Sequence, residues 1–325
     1  FQTRYVIPIE REANGIRQLE LRRRVSPFIL RRLKEDVAPD LPPLTEAVLY
    51  CDLTPDQAAL YRTAVKAGRQ RVLEAVKQQG LPRSQIAVVE ALLKLRQICC
   101  HPPLSGLDPE GTVTGSAKLA LFQDTLEEIL EGGHRVLVFS QFVQMLKVIE
   151  AGLKERGTPY LYLDGRTRDR QGLVDRFNDS SIPVFLISLK AGGAGLNLTG
   201  ADYVIHFDPW WNPAVESQAT DRAHRIGQQR PVISYRLITR GTVEEKMLEL
   251  HARKRALVDG LLSAEASVGR SLTEEDLEFL FPEGGVLPGE DPPGLRGGTS
   301  GAAELMEPDL PLIDVSLMEV ALEDS

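Results

Sequence analysis

Two arginines about one helical turn apart, Arg222 and Arg225, are the first candidates for chemistry. They stand in ESQATDRAHRIGQ at 216–228. On a helix, Gln218, Asp221, Arg222 and Arg225 are three or four positions apart and share one face. Two planar guanidinium groups so spaced suit an anion with spread charge, such as a phosphoryl group in transfer. The same spacing also describes a solvated basic helix paired with Asp221. A second segment, SLKAGGAGLNL at 188–198, carries glycines at 192, 193 and 195. Glycines let a backbone approach a ligand closely and point N–H groups at it. Ser188 and Lys190 can donate to a phosphate there. Glycines after a strand also make ordinary tight turns.

Both segments sit in a regular frame. Short apolar, β-branched runs recur as VLVFS (136–140), YLYLD (160–164), VFLIS (184–188), YVIHF (203–207) and VISYRLI (232–238). Helical periodicity fills the gaps at about 117–131, 141–156, 168–179 and 213–226, with a closing helix at about 242–262. Unbroken apolar strands alternating with helices predict an α/β fold, a parallel sheet with helices on both faces. Ligands of such sheets bind beyond the carboxyl ends of the strands. Ser140 and Gln141 follow the first run, and Asp164, Gly165, Arg166 and Thr167 the second. The glycine segment follows the third, and DPWWNP at 208–213 the fourth.

Upstream, residues 1–44 read as the end of another unit, rich in arginine at 22–24 and 31–32. TEAVLYCD at 45–52 alternates like a strand. Thr54 and Pro55 then predict an N-cap and first helical position. Helices follow to about Gln79 and over 84–100, stopped by His101-Pro102-Pro103. A further helical stretch covers 264–281. Beyond 282 the chain is Gly, Pro and acid, a composition that cannot bury enough to fold. Its end, LPLIDVSLMEVALED, either frays or forms a short partner-binding helix.

The formal net charge is −8, but it is unevenly spread. Residues 264–325 carry 15 acids and 2 bases, which leaves +5 on residues 1–263. Local charge decides whether a phosphate backbone is attracted, and the folded part permits it. The acidic tail could mimic DNA or meet a protein partner. Three cysteines make no disulfide framework and point to a reducing compartment. No apolar run approaches the roughly 18 residues of a membrane span, and no signal peptide is legible. Opening on Phe1 rather than Met, the chain reads as a fragment or processed product.

The string VFLISLKAGGAGLNLTGADYVIHFDPWWNPAVESQATDRAHRIGQ closely resembles motifs V and VI of the SWI/SNF-type ATPases of helicase superfamily two. VLVFSQF resembles their motif IV and YLYLDGRT the segment after it. PFILRRLKEDV, LPPLTE and LRQICCHP resemble the family's run into its second lobe. The resemblance covers roughly 22–281 and looks bacterial in wording. It implies a RecA-like lobe at 45–263 with a helical insertion at about 55–100, behind a linker or brace at 1–44. It implies that Arg222 and Arg225 face the γ-phosphate of ATP, with Gln218, Gly193, Gly195 and Asn197 in the same cleft. Ser140, Gln141, Arg166, Thr167, Ser188 and Lys190 would follow the backbone of double-stranded DNA. Trp210 and Trp211 either couple the two sites or pack as ordinary aromatics. Leu189 departs from the family, where a small hydroxylated residue is frequent.

A complete motor needs G-x-x-x-x-G-K-[ST] and an acidic magnesium site, and neither occurs here. GTVTGSAK at 111–118 lacks the ending, so Ser116 reads as an N-cap and Lys118 as surface. The resemblance therefore implies half a catalytic site. ATP's magnesium would be held mainly by a first RecA-like lobe in cis. The alternative is a non-catalytic module that binds DNA or another motor. Cys99, Cys100 and His101 lack a second ligand pair and read as a buried helix end, not a metal site. His206 reads as a core histidine, and His224 as structural or DNA-facing. The implied location is a bacterial cytoplasm beside the nucleoid, or a nucleus in a eukaryote.

Overall fold

Strands written as unbroken apolar runs pair only where both sheet faces are covered, and they do so here. The computed structural model describes residues 2–6, 8, 14–25, 38–80, 84–191, 195–210, 213–249 and 279–281. Six strands, β1 (Leu44–Cys51), β2 (Val136–Ser140), β3 (Tyr160–Leu163), β4 (Val184–Ser188), β5 (Tyr203–His206) and β6 (Val232–Thr239), form one sheet in the order β1-β6-β5-β2-β4-β3. Every pairing is parallel. The strand expected at 45–52 is β1, on the sheet's outer edge.

Alternate residues of each strand enter opposite cores, as a period of two requires. Leu137, Phe139, Phe185, Ile187 and Val204 face one core, which α6 (Arg170–Asp179) and α7 (Pro213–Thr220) cover. Val136, Val138, Val184, Leu186 and Ile205 face the other, under α4 (Ala117–Glu131) and α5 (Val143–Glu155). A third core joins α2 (Pro55–Gln79), α3 (Gln85–Cys100) and a helix over 243–249, α8. Thr54 caps α2 through a full capping box with Gln57. Cys99 and Cys100 are buried at the end of α3, where burial pushes both thiols up.

Ahead of the sheet, α1 (Gly15–Val25) carries part of the arginine-rich start. Glu20 accepts from Arg17, Tyr5 and Arg4, and Arg24 pairs with it at 3.2 Å; Arg17 leads in holding its carboxyl down to about 2. Arg31, Arg32 and the expected tail at 282–325 lie outside the described residues. Among the described residues, no helix is long and apolar enough to cross a membrane.

One expectation is overturned. Lys118 is fully buried, not at the surface, and pairs with buried Glu244 of α8. The buried positions of α4 are 118, 122, 125, 126 and 129, so the core-facing stripe begins at the lysine itself. Ser116 does cap α4, accepting from Leu119 N–H.

His206 sits in the core as expected, its Nε2 at 2.9 Å from Thr220 Oγ1 and its ring stacked on Phe139. Burial, then the charge of Arg236, holds its pKa at about 3. The unfolded chain therefore takes up this proton first, and stability is lost as pH falls from 6.5 toward 3. The loss is at most about 5 kcal/mol. His206→Phe keeps the stack and leaves Thr220 its Ser234 partner. Urea titrations at pH 7 and pH 4.5 should show a smaller acid loss in this variant than in the parent. Equal losses would mean that His206 does not sense the acid.

Candidate functional site

The chain leaves β2 toward the β3 edge and leaves β5 toward the β1 edge. Its direction thus reverses between two neighbours, and a crevice opens at their carboxyl ends. Beneath that crevice lies Asp208, fully buried. Ser140 Oγ donates to one carboxylate oxygen, and Gln141 N–H donates to the other at 3.3 Å. Burial pushes Asp208 up to about 6, against the pull of Arg96 and the Ser140 hydroxyl. Ser140 and Ser188 are both buried, so neither hydroxyl is presented to a backbone outside. Gln141 and Thr167 are half-buried, while Arg166 and Lys190 are exposed. The turn bearing Arg166 is fixed by Asp164, which accepts from Arg166 N–H at 2.9 Å. Leu189 lies in the core, so its departure from the family's wording removes no outward group. Trp210 packs on that core and donates its backbone N–H to Glu216 Oε1 at 2.6 Å. Trp211 and Gly193 lie outside the described residues.

The arginine pair is elsewhere, at the amino edge of the sheet. Arg135, one residue before β2, accepts through its carbonyl from Asp202 and Tyr203 N–H at the start of β5. Leu198 N–H donates to Arg222 O at 2.9 Å, and His224 donates to Pro42 O at 2.7 Å, just ahead of β1. The expected helix over 213–226 also stops early. α7 ends at Thr220, and Gln218, Arg222 and Arg225 do not share one continuous helical face. The reason is local: Arg222 and Ala223 N–H turn to carbonyls three residues back, and the Arg222 carbonyl is taken by Leu198. Gly227, at φ +104°, then turns the chain toward β6. His224 is structural rather than outward-facing at Nε2.

Arg222 is mostly buried and its Nε has no hydrogen-bond partner among the described residues. Burial, then the charge of Arg225, holds its pKa below the ordinary arginine range. Arg225 and Gln218 are exposed. Two guanidinium groups within each other's field, one buried with a donor unspent, form a site that gains from an anion. Asn197 comes just before Leu198, and its carbonyl accepts from Asn178 Nδ2 at 2.9 Å. A Cβ on Gly195 would meet nothing within 4 Å among the described residues.

One organiser of this edge has no signal in its own residue type. Gln228 is buried, and its Nε2 faces Ala201 O (2.8 Å), Ala223 O (3.0 Å) and Thr199 O (3.2 Å). Its Oε1 accepts from Gln229 and Arg230 N–H. It ties the end of the glycine loop to the arginine turn. Lys190 therefore lies at the carboxyl edge and Leu198 at the amino edge, beside Arg222.

The family model described as helicase conserved C-terminal domain matches residues 118–227, and the SNF2-related domain matches 1–104. An uncharacterized ATP-dependent helicase of Mycoplasma pneumoniae is 40% identical over 264 residues, 80% of this chain and 25% of that protein. The chain thus spans about a quarter of that relative's length. The SWI2/SNF2 ATPase C-terminal domain of Sulfolobus solfataricus is 35% identical with a TM-score of 0.57, covering 74% of this chain and 98% of that one. The ATPase core of the same organism in complex with double-stranded DNA is 37% identical, TM-score 0.61, covering 87% and 59%.

Proposed function

This chain belongs to the SWI2/SNF2 ATPase family, and from that premise we propose that it is the second motor lobe of an ATP-driven translocase on double-stranded DNA. The observation that carries the reading is the division of the site between two sheet edges joined by one loop. Lys190, Arg166 and Gln141 at the carboxyl edge meet the DNA backbone. Arg222 and Arg225 at the amino edge meet ATP's phosphates, with Gln218, Gly195 and Asn197 beside them. Ser140 and Ser188 shape the DNA side from beneath.

The donors at the amino edge are cationic, so they fit phosphate and not magnesium. The magnesium belongs mainly to a first RecA-like lobe in cis, and hydrolysis needs both lobes. Bound ATP supplies the phosphoryl group, and this chain's arginines hold the charge that develops on it. Backbone contacts at the other edge position DNA without reading its sequence. A shift of 188–202 on DNA binding is felt at the Arg222 carbonyl through Leu198.

The test is duplex-stimulated ATP hydrolysis by the protein with both lobes, at several salt concentrations. Lys190→Ala should weaken DNA whatever its sequence. It should also lower the slope of log half-saturating DNA against log salt by about 1. A two-lobed protein that hydrolyses no ATP would instead be a binding module, and equal hydrolysis with and without duplex would remove the DNA-driven motor. An unchanged slope would take Lys190 off the DNA.

A further inference from the structure

Arg96 stands on α3, in the helical insertion, yet its side chain ends under the crevice between β2 and β5. It is almost completely buried. Its Nη1 donates to Gln141 Oε1 at 3.0 Å, and its Nη2 donates to Pro209 O and lies 3.6 Å from Asp208 Oδ2. Its guanidinium also sits 5.8 Å from the Phe142 ring centroid. One planar fork thus joins three elements: the insertion, the loop after β2 and the loop after β5. A buried ion pair is a poor source of net stability, because desolvation of both charges offsets most of their attraction. What it does provide is a fixed geometry, since a fork satisfied by two acceptors tolerates little displacement.

We propose that Arg96 is a positioning residue for DNA engagement, setting Gln141 and the 208–210 loop from the helical insertion. The inference rests on the reading of the carboxyl edge as the DNA side. Gln141 is its point of action: its Oε1 is held by Arg96, while its backbone N–H is held by Asp208. Lysine at position 96 keeps the charge opposite Asp208 but reaches one acceptor, not two. Any movement of the insertion then no longer sets both loops together.

The experiment is duplex-stimulated hydrolysis by the two-lobed protein, with Arg96→Lys, Gln141→Met, the double variant and Lys190→Ala side by side. Arg96→Lys should raise half-saturating duplex about tenfold while turnover at saturating duplex stays within twofold. Gln141→Met should do the same, and the double variant should be no worse than either single, because both remove one contact. If Arg96→Lys does not fold, Arg96→Gln takes its place beside Gln141→Met, with the same readout. Parental half-saturation in Gln141→Met, a proportional fall in turnover at all DNA concentrations, or additive losses in the double variant would overturn the proposal. If Lys190→Ala also leaves half-saturation unchanged, the DNA-side reading has failed, and this inference with it.

Discussion

Replacing Arg225 by alanine should lower duplex-stimulated ATP turnover by about 10³-fold, the low end of what arginine fingers contribute. Arg225 is exposed at the amino edge and its side chain builds none of the core, so the loss should appear in turnover, not in folding. Its carbonyl accepts from Gln228 N–H at 2.9 Å, a backbone bond that alanine keeps. An interaction made mainly in the transition state lowers kcat and kcat/KM together and leaves KM nearly unmoved. Arg225→Lys should recover only part of the rate, because an ammonium carries the charge without the planar fork. Arg222→Ala differs in kind. It empties a mostly buried site next to the Leu198 contact, so it should lower ATP affinity and thermal stability as well as turnover. Single-turnover hydrolysis and nucleotide binding on the same samples separate these cases. Arg225→Ala within tenfold of the parent would remove Arg225 from the transition state.

How far such a site can be read from sequence depends on where each residue's partner lies. The strands were legible to within a residue because VLVFS and VFLIS are apolar up to their closing serine, and both faces are covered. Lys190 and Arg166 were legible because a strand end followed by a basic residue places that residue at the carboxyl edge. Hydroxyls are read by type as suiting phosphate, yet where Ser140 sends its proton is tertiary: it donates to Asp208, 68 residues away. The arginine helix misled by period. Helical spacing runs on through 226, yet α7 stops because Leu198 claims the Arg222 carbonyl. Arg96 and Gln228 stand in the family-like strings LRQICCHP and DRAHRIGQ, but their roles were not legible, for their partners lie 113 and 27 residues away. Charge and hydrogen-bonding capacity are local properties, but their satisfaction is tertiary.

Lys118→Met should destabilise the chain by about 3–5 kcal/mol, the usual cost of stranding one member of a buried ion pair. Glu244 is fully buried, accepts Thr239 N–H at 3.0 Å, and has its other oxygen buried without a partner among the described residues. Burial works against the Lys118 ammonium, but Glu244, together with Cys100 and Cys99, outweighs it and holds the group above the ordinary lysine range. A raised base stabilises the fold below its unfolded pKa of 10.5, so the pair is fully formed at neutral pH. The thermal midpoint should fall by roughly 10 °C, with the urea m-value unchanged. Adding Glu244→Gln should restore most of the loss: glutamine can still accept from Thr239, and no charge is then left alone. Lys118→Met within 1 kcal/mol of the parent, or a double variant no better than the single, would show that the pair is not what holds α4 against α8. The structure puts position 118 at the head of the inward stripe of α4. Only the residue type argued for solvent, and type loses where a carboxylate 126 residues on completes the pair.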